Sequence, residues 1–385
     1  MTQGTYNLGQ GTVFTYYPSA FVDQKIGWEK TNQTNIGADF TFLNGRLNLI
    51  ANYYHSVTND LLYNTTVSAV TGYTGSWTNL AEGKVYNEGF DLQIDGSIIA
   101  TQDVKWNAGF NISVNRNKVM GLSDEIITKA QRGQITHITR NGLPIGSFYG
   151  MVSQGIINAE EYANILIDKA NQNTPDYVLT GPPVADYDNV YIGDVKWKDV
   201  DGNGKITEDD REVIGNNYPD FTFGFNTSFN WKGLSFSTTF DGQYGAEVIN
   251  FSRYYIANQE GGVNTMKSGV DRYRDETNPG NGMIYRANRA AKNLNTKFST
   301  YFVEDASFLR CTNITLGYNL SNQFLNRLTI NNVYVYGTVD NALMLTDYLG
   351  YNPDVDYNSG NLAPGIDFGT YPIARTYSLG VKLSF

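Results

Sequence analysis

The chain has 385 residues, a formal net charge of −10 and 17% charged residues, well below the roughly one quarter usual in soluble domains. Aromatic residues make up 14% and glycine occupies 39 positions, so large flat side chains and small ones are both abundant. The acidic balance argues against a basic nucleic-acid-binding face, and the single cysteine, Cys311, excludes a disulfide within the chain and a cysteine-based zinc site.

Nine β-strands are predicted from apolar and polar residues that alternate with a period of two, because successive strand side chains point to opposite faces. One face of each strand is rich in Phe, Leu, Ile and Val, and the other carries mainly Asn, Ser, Thr, Gly and Asp. In chain order, the predicted strands cover residues 35–42, 46–57, 89–96, 104–117, 221–231, 234–244, 307–320, 333–345 and 375–385.

The connections between these strands alternate between two length classes. The short turns lie at 44–45, 100–103, 231–233 and 321–332. The long connections cover about 58–86, 118–218, 249–303 and 346–372. If neighbouring strands are antiparallel, all short turns lie on one side of the sheet and all long loops on the other, as in an outer-membrane β-barrel with long extracellular loops. We therefore predict an all-β fold, an antiparallel transmembrane β-barrel.

The chemistry of the two strand faces supports this prediction. A water-filled barrel lumen accepts neutral polar residues, and the outward face presents apolar side chains to lipid. Phe221, Trp231, Tyr244 and Tyr318 are predicted at strand ends, where aromatic girdles meet the membrane interfaces. The alternative is a soluble β-sandwich, in which the same apolar faces would form a core between two sheets.

The connection 118–218 is predicted to be a folded extracellular excursion. Residues 158–170 are predicted to form a short helix, with Asn158 and Glu161 as a capping pair and Ile165 and Ile167 packing it down.

Residues 199–210 match the spacing of a calcium-binding loop. Asp199, Asp201 and Asn203 occupy positions 1, 3 and 5, and Gly204 occupies position 6, where the chain must turn sharply. Lys205 would contribute its backbone carbonyl at position 7, and Asp210 replaces the usual bidentate Glu at position 12. The helices of an EF-hand are missing on both sides. We expect a structural Ca²⁺ site here, and the alternative is an Asp- and Asn-rich turn without metal.

The last predicted strand ends on an aromatic residue. Tyr377, Leu379, Val381, Leu383 and Phe385 alternate to the final position of the sequence. Such a strand is the kind of edge that the barrel assembly machinery would capture by adding it to a sheet.

No catalytic constellation emerges, and the chain is predicted not to be an enzyme. His55 is placed on a strand and His137 in a polar loop, both as structural or surface residues, and Cys311 is predicted to be a buried small residue. No nucleophile elbow or phosphate-binding loop is present in the sequence.

The chain resembles the C-terminal part of the SusC/RagA-type TonB-dependent outer-membrane transporters of Bacteroidota. The resemblance extends over nearly all of residues 1–385, and short motifs in a fixed order carry it. These motifs are residues 28–31, 35–37, 58–62, 87–89, 111–115, 193–196, 199–210, 214–216, 219–221, 302–310, 313–318, 350–354 and 371–372.

The resemblance implies part of a 22-stranded barrel, here about nine to eleven strands. It also implies import of glycan or peptide fragments driven by the TonB system, with a SusD-like surface lipoprotein as partner and location in the outer membrane. The sequence begins without a signal peptide, a TonB box or a plug domain, so we expect a truncated product or a portion of a longer transporter. The alternative function is a soluble, calcium-stabilised β-sandwich that binds carbohydrate at the cell surface.

Overall fold

A computed structural model describes residues 2–7, 12–17, 21–23, 25–65, 68, 70, 73, 75–262, 264–288, 294–320, 330–357 and 360–384. Its strands, in chain order, are β1 Thr2–Asn7, β2 Thr12–Tyr17, β3 Phe21–Val22, β4 Lys30–Phe42, β5 Leu47–Thr65, β6 Ser76–Ala100, β7 Val104–Met120, β8 Ile126–Lys129, β9 Ile135–Thr139, β10 Ser147–Gly150, β11 Ser153–Ile156, β12 Val195–Trp197, β13 Glu212–Gly215, β14 Phe221–Trp231, β15 Leu234–Tyr244, β16 Glu247–Asn250, β17 Val303–Asp305, β18 Phe308–Asn319, β19 Asn332–Thr346, β20 Ile366–Asp367 and β21 Thr376–Ser384. The α-helices are α1 Ala159–Asn171 and α2 Arg253–Ile256, and short 3₁₀ turns cover Gln131–Gly133, Glu208–Asp210, Lys267–Asp271 and Thr300–Phe302.

One large antiparallel sheet dominates the molecule. Its nine long strands follow the order β21-β19-β18-β15-β14-β7-β6-β5-β4, and the short β3 pairs in parallel with β6. We call this sheet the wall. Every predicted strand is confirmed as a wall strand, and β14 and β15 begin and end at the predicted residues. The edge strands β4 and β21 leave the barrel open within the described residues.

Two faces of opposite polarity run across the wall. Ile94, Phe110, Phe225 and Phe240 stand side by side on four neighbouring strands. Phe110 and Phe225 remain 38% and 37% exposed, so they do not enter a core between two sheets. This outward apolar face is the arrangement expected of a membrane barrel, and it disfavours the sandwich alternative.

The prediction of a long connection at 58–86 was wrong. Strand β5 continues to Thr65 and β6 begins at Ser76, so the connection is confined to residues 66–75. The register shifts between Asn59 and Leu61, where Asp60 has a positive φ of 58°. This bulge breaks the period of two, and for that reason the alternation could not be followed through it.

The other long connections hold the small sheets and helices, and we call them the loop cap: residues 121–220, 245–307 and 347–375. All three contribute to one buried cluster, which contains Phe148, Ile249, Phe251, Phe298, Phe302, Ala363 and Ile366. The loop cap therefore has a hydrophobic core of its own, on the side of the wall opposite the short turns.

Helix α1 confirms the predicted capping pair. The Asn158 side chain accepts the Glu161 N–H at 2.9 Å, and the Glu161 carboxylate accepts the Asn158 N–H at 3.0 Å. Ile165 is fully buried, as predicted, whereas Ile167 is 49% exposed. The prediction for Ile167 was wrong because residues two apart on a helix do not share a face.

Among the described residues, no helix is both long and apolar enough to span a membrane. The Phe385 prediction and most of the turn predicted at 321–332 fall outside the described residues.

Candidate functional site

The polar face of the wall carries hydrogen-bonded side chains on both halves of the sheet. Ser113 Oγ donates to Asp91 at 2.5 Å, and Tyr54 Oη donates to Asn115 at 2.8 Å. Farther along, Asn313 Nδ2 donates to Asp340 at 2.7 Å. Neutral and acidic oxygens on short side chains suit a hydrated path for polar solutes.

A buried polar group joins the first two connections of the loop cap. The Asp194 carboxylate is fully buried and accepts from Arg286 Nε at 2.7 Å and from Asn295 Nδ2 at 3.0 Å. Asn295 Nδ2 also donates to Glu260 at 3.1 Å. Burial raises the pKa of Glu260, and the Asn295 amide offsets part of that rise. We call these four residues the Asp194 seam.

His137 joins the first connection to the third. The residue lies on β9, not in the predicted polar loop, and it is fully buried. Its ring nitrogens lie 2.8 Å from Thr136 Oγ1 and 2.9 Å from the Pro364 carbonyl oxygen. Burial lowers the pKa of His137 to about 4, so the ring is neutral at physiological pH. The other two residues behave as predicted: His55 lies on wall strand β5, and Cys311 is buried.

The predicted calcium loop brings three of its carboxylates together. Oxygens of Asp199, Asp201 and Asp210 all lie within 4.8 Å of one another. Oxygens that share one Ca²⁺ at about 2.4 Å lie at most about 4.8 Å apart, so the donor set fits a single cation. Asp210 is buried, Asp199 half-buried and Asp201 exposed.

Backbone amides hold the two less exposed carboxylates in place. Asp199 accepts the N–H groups of Gly202 at 2.7 Å and Gly204 at 2.8 Å. Burial acts to raise the pKa of Asp199, but these amide bonds outweigh it, and the pKa lies below its ordinary value. Asp210 accepts the N–H groups of Val200 at 2.8 Å and Thr207 at 2.6 Å. The amides thus fix the position of both carboxylates, and they favour the ionised, metal-binding form of Asp199.

The remaining two predicted residues are arranged differently. Asn203 donates Nδ2 to Asp201 at 2.7 Å, while its Oδ1 accepts the Lys205 N–H at 2.8 Å. The Asn203 oxygen has a second lone pair, so it can accept the Lys205 N–H and still serve as a ligand. Lys205 is exposed.

Sequence reasoning missed the Asp194 seam. Asp194 is far in the chain from the residues that it binds, 92 residues from Arg286 and 101 from Asn295. The Arg-rich segment around 272–286 was the available signal, because arginines are scarce in so acidic a chain.

Comparison with known proteins gives a consistent result. A family profile described as "TonB dependent receptor-like, beta-barrel" matches residues 2–132. TonB-dependent receptor P3 of Formosa agariphila is 28% identical over 376 residues, which cover 95% of this chain and 35% of that protein. TonB-dependent receptor SusC of Bacteroides thetaiotaomicron is 29% identical over 395 residues, covering 99% of this chain and 34% of that protein.

Solved structures agree in fold. The RagAB peptide importer in its closed-closed state superposes with a TM-score of 0.75 at 24% identity, covering 100% of this chain and 38% of that one. The open-open state gives a TM-score of 0.72. The chain spans little more than a third of the curated relatives that it matches, 35% of one and 34% of the other.

Proposed function

We propose that this chain forms part of the wall and the loop cap of a nutrient importer. The premise is that the chain belongs to the TonB-dependent receptors of the SusC and RagA type and is an outer-membrane β-barrel protein. The imported solutes are glycan or peptide fragments. The observation that carries the proposal is the two-faced wall, whose long loops gather on one side into a packed cap. TonB supplies the energy through a plug region outside this chain, and a SusD-like lipoprotein is the partner at the surface.

In this proposal the loop cap faces the outside of the cell and the short turns face the periplasm. Cysteine labelling tests this orientation cleanly, because the single native cysteine, Cys311, is buried at 2% exposure. Lys267→Cys lies in the loop cap and Lys232→Cys in a short turn, and both native side chains are exposed. In intact cells, a membrane-impermeant maleimide should label position 267 and not position 232. Equal labelling of both positions contradicts the orientation.

Transport is tested by uptake of fluorescent oligosaccharides and peptides in cells with and without the gene. We expect uptake to fall in the deletion strain and to stop when an uncoupler collapses the proton gradient that TonB uses. Uptake that is unchanged by the deletion rejects the importer function.

The loop 199–210 is proposed to bind one Ca²⁺ through Asp199, Asp201 and Asp210, with the Lys205 carbonyl and the Asn203 side-chain oxygen completing the oxygen set. Three carboxylates within 4.8 Å repel one another, and a divalent cation would relieve that repulsion. The cation would have a structural role, joining the two ends of the loop.

Calorimetry with CaCl₂ on the purified protein tests this site. The double variant Asp199→Asn/Asp201→Asn should lose the binding heat, while Asp124→Asn, an exposed acidic residue elsewhere in the loop cap, should keep it. Chelation should also increase proteolysis within 199–210. A wild-type protein that gives neither a binding heat nor a change in proteolysis refutes the site.

A further inference from the structure

A cavity of about 520 Å³ opens between the first two connections of the loop cap. Helix α1, the segment that precedes β12 and two stretches of the 245–307 connection form its walls. Its lining residues are Tyr162, Tyr191, Ile192, Arg272, Tyr273, Arg274, Arg286 and Ala287. The volume is within the range of small-ligand sites.

The lining is cationic although the chain as a whole carries a net charge of −10. Arg286 is neutralised by the buried Asp194. Neither Arg272 nor Arg274 has a carboxylate within ion-pair distance among the described residues. Arg272 donates one N–H to the Gly269 carbonyl at 2.9 Å, which leaves most of its five donors available.

The acidic residues next to the cavity are not among its lining residues. Asp275 Oδ1 accepts from Thr277 Oγ1 at 2.6 Å and from the Asn278 N–H at 2.9 Å. Glu161 pairs with Lys196 at 2.7 Å. Hydrogen bonds do not remove the charge of Asp275, which acts on Arg274, and Glu276 acts with it on Tyr273. The two guanidinium groups of the lining nevertheless have no carboxylate in ion-pair contact among the described residues, so they are the groups that can attract an anion into the cavity.

Aromatic rings supply the rest of the surface. Tyr191 is 43% exposed, and the Arg286 guanidinium lies 4.6 Å from its ring centroid. Tyr273 is buried, with its ring against Gly193. Tyrosines present a flat face together with a hydroxyl, the combination that stacks on sugar rings and bonds to their hydroxyl groups.

The cavity is preorganised by the Asp194 seam. Asp194 fixes Arg286 by its carboxylate, and the Gly193 carbonyl accepts the Arg286 N–H at 2.8 Å. A wall that is already ordered loses little conformational freedom when a ligand binds.

We infer that this cavity is a substrate subsite for the carboxylate or sulfate group of an anionic oligosaccharide, with Arg272 and Arg274 binding the anion and Tyr191 stacking on a sugar ring. The inference rests on the proposed importer function and narrows its substrate class. An oligosaccharide is favoured over a peptide because, among the described residues of the lining, only Ile192 and Ala287 are aliphatic and the others are Tyr and Arg.

The test uses calorimetry on the detergent-purified protein that contains this chain. The probes are tetragalacturonate, a sulfated carrageenan tetrasaccharide, methyl-esterified tetragalacturonate as the neutral analogue, and tetraglutamate as an acidic peptide. At least one of the two anionic sugars should bind at least about tenfold more tightly than the neutral analogue, and which one binds identifies carboxylate or sulfate as the anion. If neither anionic sugar binds, the inference is overturned.

Variants then assign the binding to the two arginines. Arg272→Gln/Arg274→Gln should weaken binding of the anionic sugar at least about tenfold. Arg274→Gln alone, at an exposed position, should weaken it measurably without risk to folding. Lys129→Gln/Lys267→Gln removes the same charge from exposed loop-cap positions outside the cavity and should bind like the wild type.

The remaining outcomes also decide the question. Wild-type affinity in the double arginine variant overturns the inference, and so does tetraglutamate binding that is as tight as sugar binding with the same arginine dependence. Uptake by cells distinguishes a failure of the subsite inference from a failure of the importer function. If the importer function holds, the double arginine variant still imports neutral fragments that the deletion strain does not import.

Discussion

Asp168, near the end of helix α1, is buried at 1% exposure and ties the helix to the segment that follows it. Its Oδ1 accepts from Tyr177 Oη at 2.8 Å and from Thr180 N and Oγ1 at 2.9 and 2.8 Å, and its Oδ2 accepts the Gly181 N–H at 2.8 Å. Burial acts to raise the pKa of Asp168, but the Thr180 and Gly181 amides and the two hydroxyls outweigh it, and the pKa is lowered.

Asp168→Asn keeps the shape of this side chain and removes its charge. One amide oxygen can replace Oδ1, but the NH₂ group then faces the Gly181 N–H, so that bond is lost. A bond to a charged acceptor contributes about 1.5–3 kcal/mol, and the three remaining bonds each become weaker by roughly 0.5 kcal/mol. We expect the local stability of α1 and residues 177–181 to fall by about 3–4.5 kcal/mol.

Hydrogen exchange measures this loss where it occurs. Amides of α1 should lose roughly 100- to 1000-fold in protection, since about 1.4 kcal/mol corresponds to a factor of ten. Asp176→Asn makes the same chemical change at an exposed position with a φ of 58°, which Asn tolerates, and should leave protection unchanged. Equal protection in Asp168→Asn and the wild type would refute the reasoning.

Three further outcomes are expected. The pKa of His137 is lowered to about 4 in the folded protein, against about 6.5 in the unfolded chain, so the stability that the neutral ring contributes is complete above pH 6.5 and is lost as the pH falls toward 4. Proteolysis of the loop cap should therefore increase between pH 6.5 and 4, and His137→Gln should remove that increase. Ile165→Ala should destabilise α1 by about 2–5 kcal/mol and Ile167→Ala by less than about 0.5 kcal/mol, because the first side chain is fully buried and the second is 49% exposed. Equal loss of hydrogen-exchange protection in the two variants would contradict this difference. Gly193→Ala should displace the Tyr273 ring, since an added Cβ would lie 2.3 Å from Tyr273 Cδ1 at a φ of +84°, and calorimetry should find weaker binding of the anionic tetrasaccharide; unchanged affinity would show that the cavity does not depend on that contact.

The strands of the wall could be predicted from the sequence because each of them faces two different environments. Apolar and polar residues must then alternate, and this pattern located strands as long as Phe221–Trp231 to the residue. It failed at Asp60, where a bulge interrupts the alternation. The spacing of the acidic residues in 199–210 likewise placed Asp199, Asp201 and Asp210 together, since the whole loop is local in the chain.

The loop cap could not be predicted in the same way. Its contacts join residues far apart in the chain, such as His137 and the Pro364 carbonyl, which are separated by 227 residues. No periodicity marks such pairs. The arginines of the cavity were individually ordinary loop residues, and only the fold places Arg272, Arg274 and Arg286 around one space.

The Asp194 seam has a consequence for how these loops can change. Replacing the 245–307 connection alone with one from a related barrel that lacks Arg286 and Asn295 would leave Asp194 as a buried charge without its ion-pair partner, at a cost of about 3–5 kcal/mol. The connections 121–220 and 245–307 therefore depend on each other for their packing. We expect recombinant barrels to keep a folded loop cap only when both connections are exchanged together.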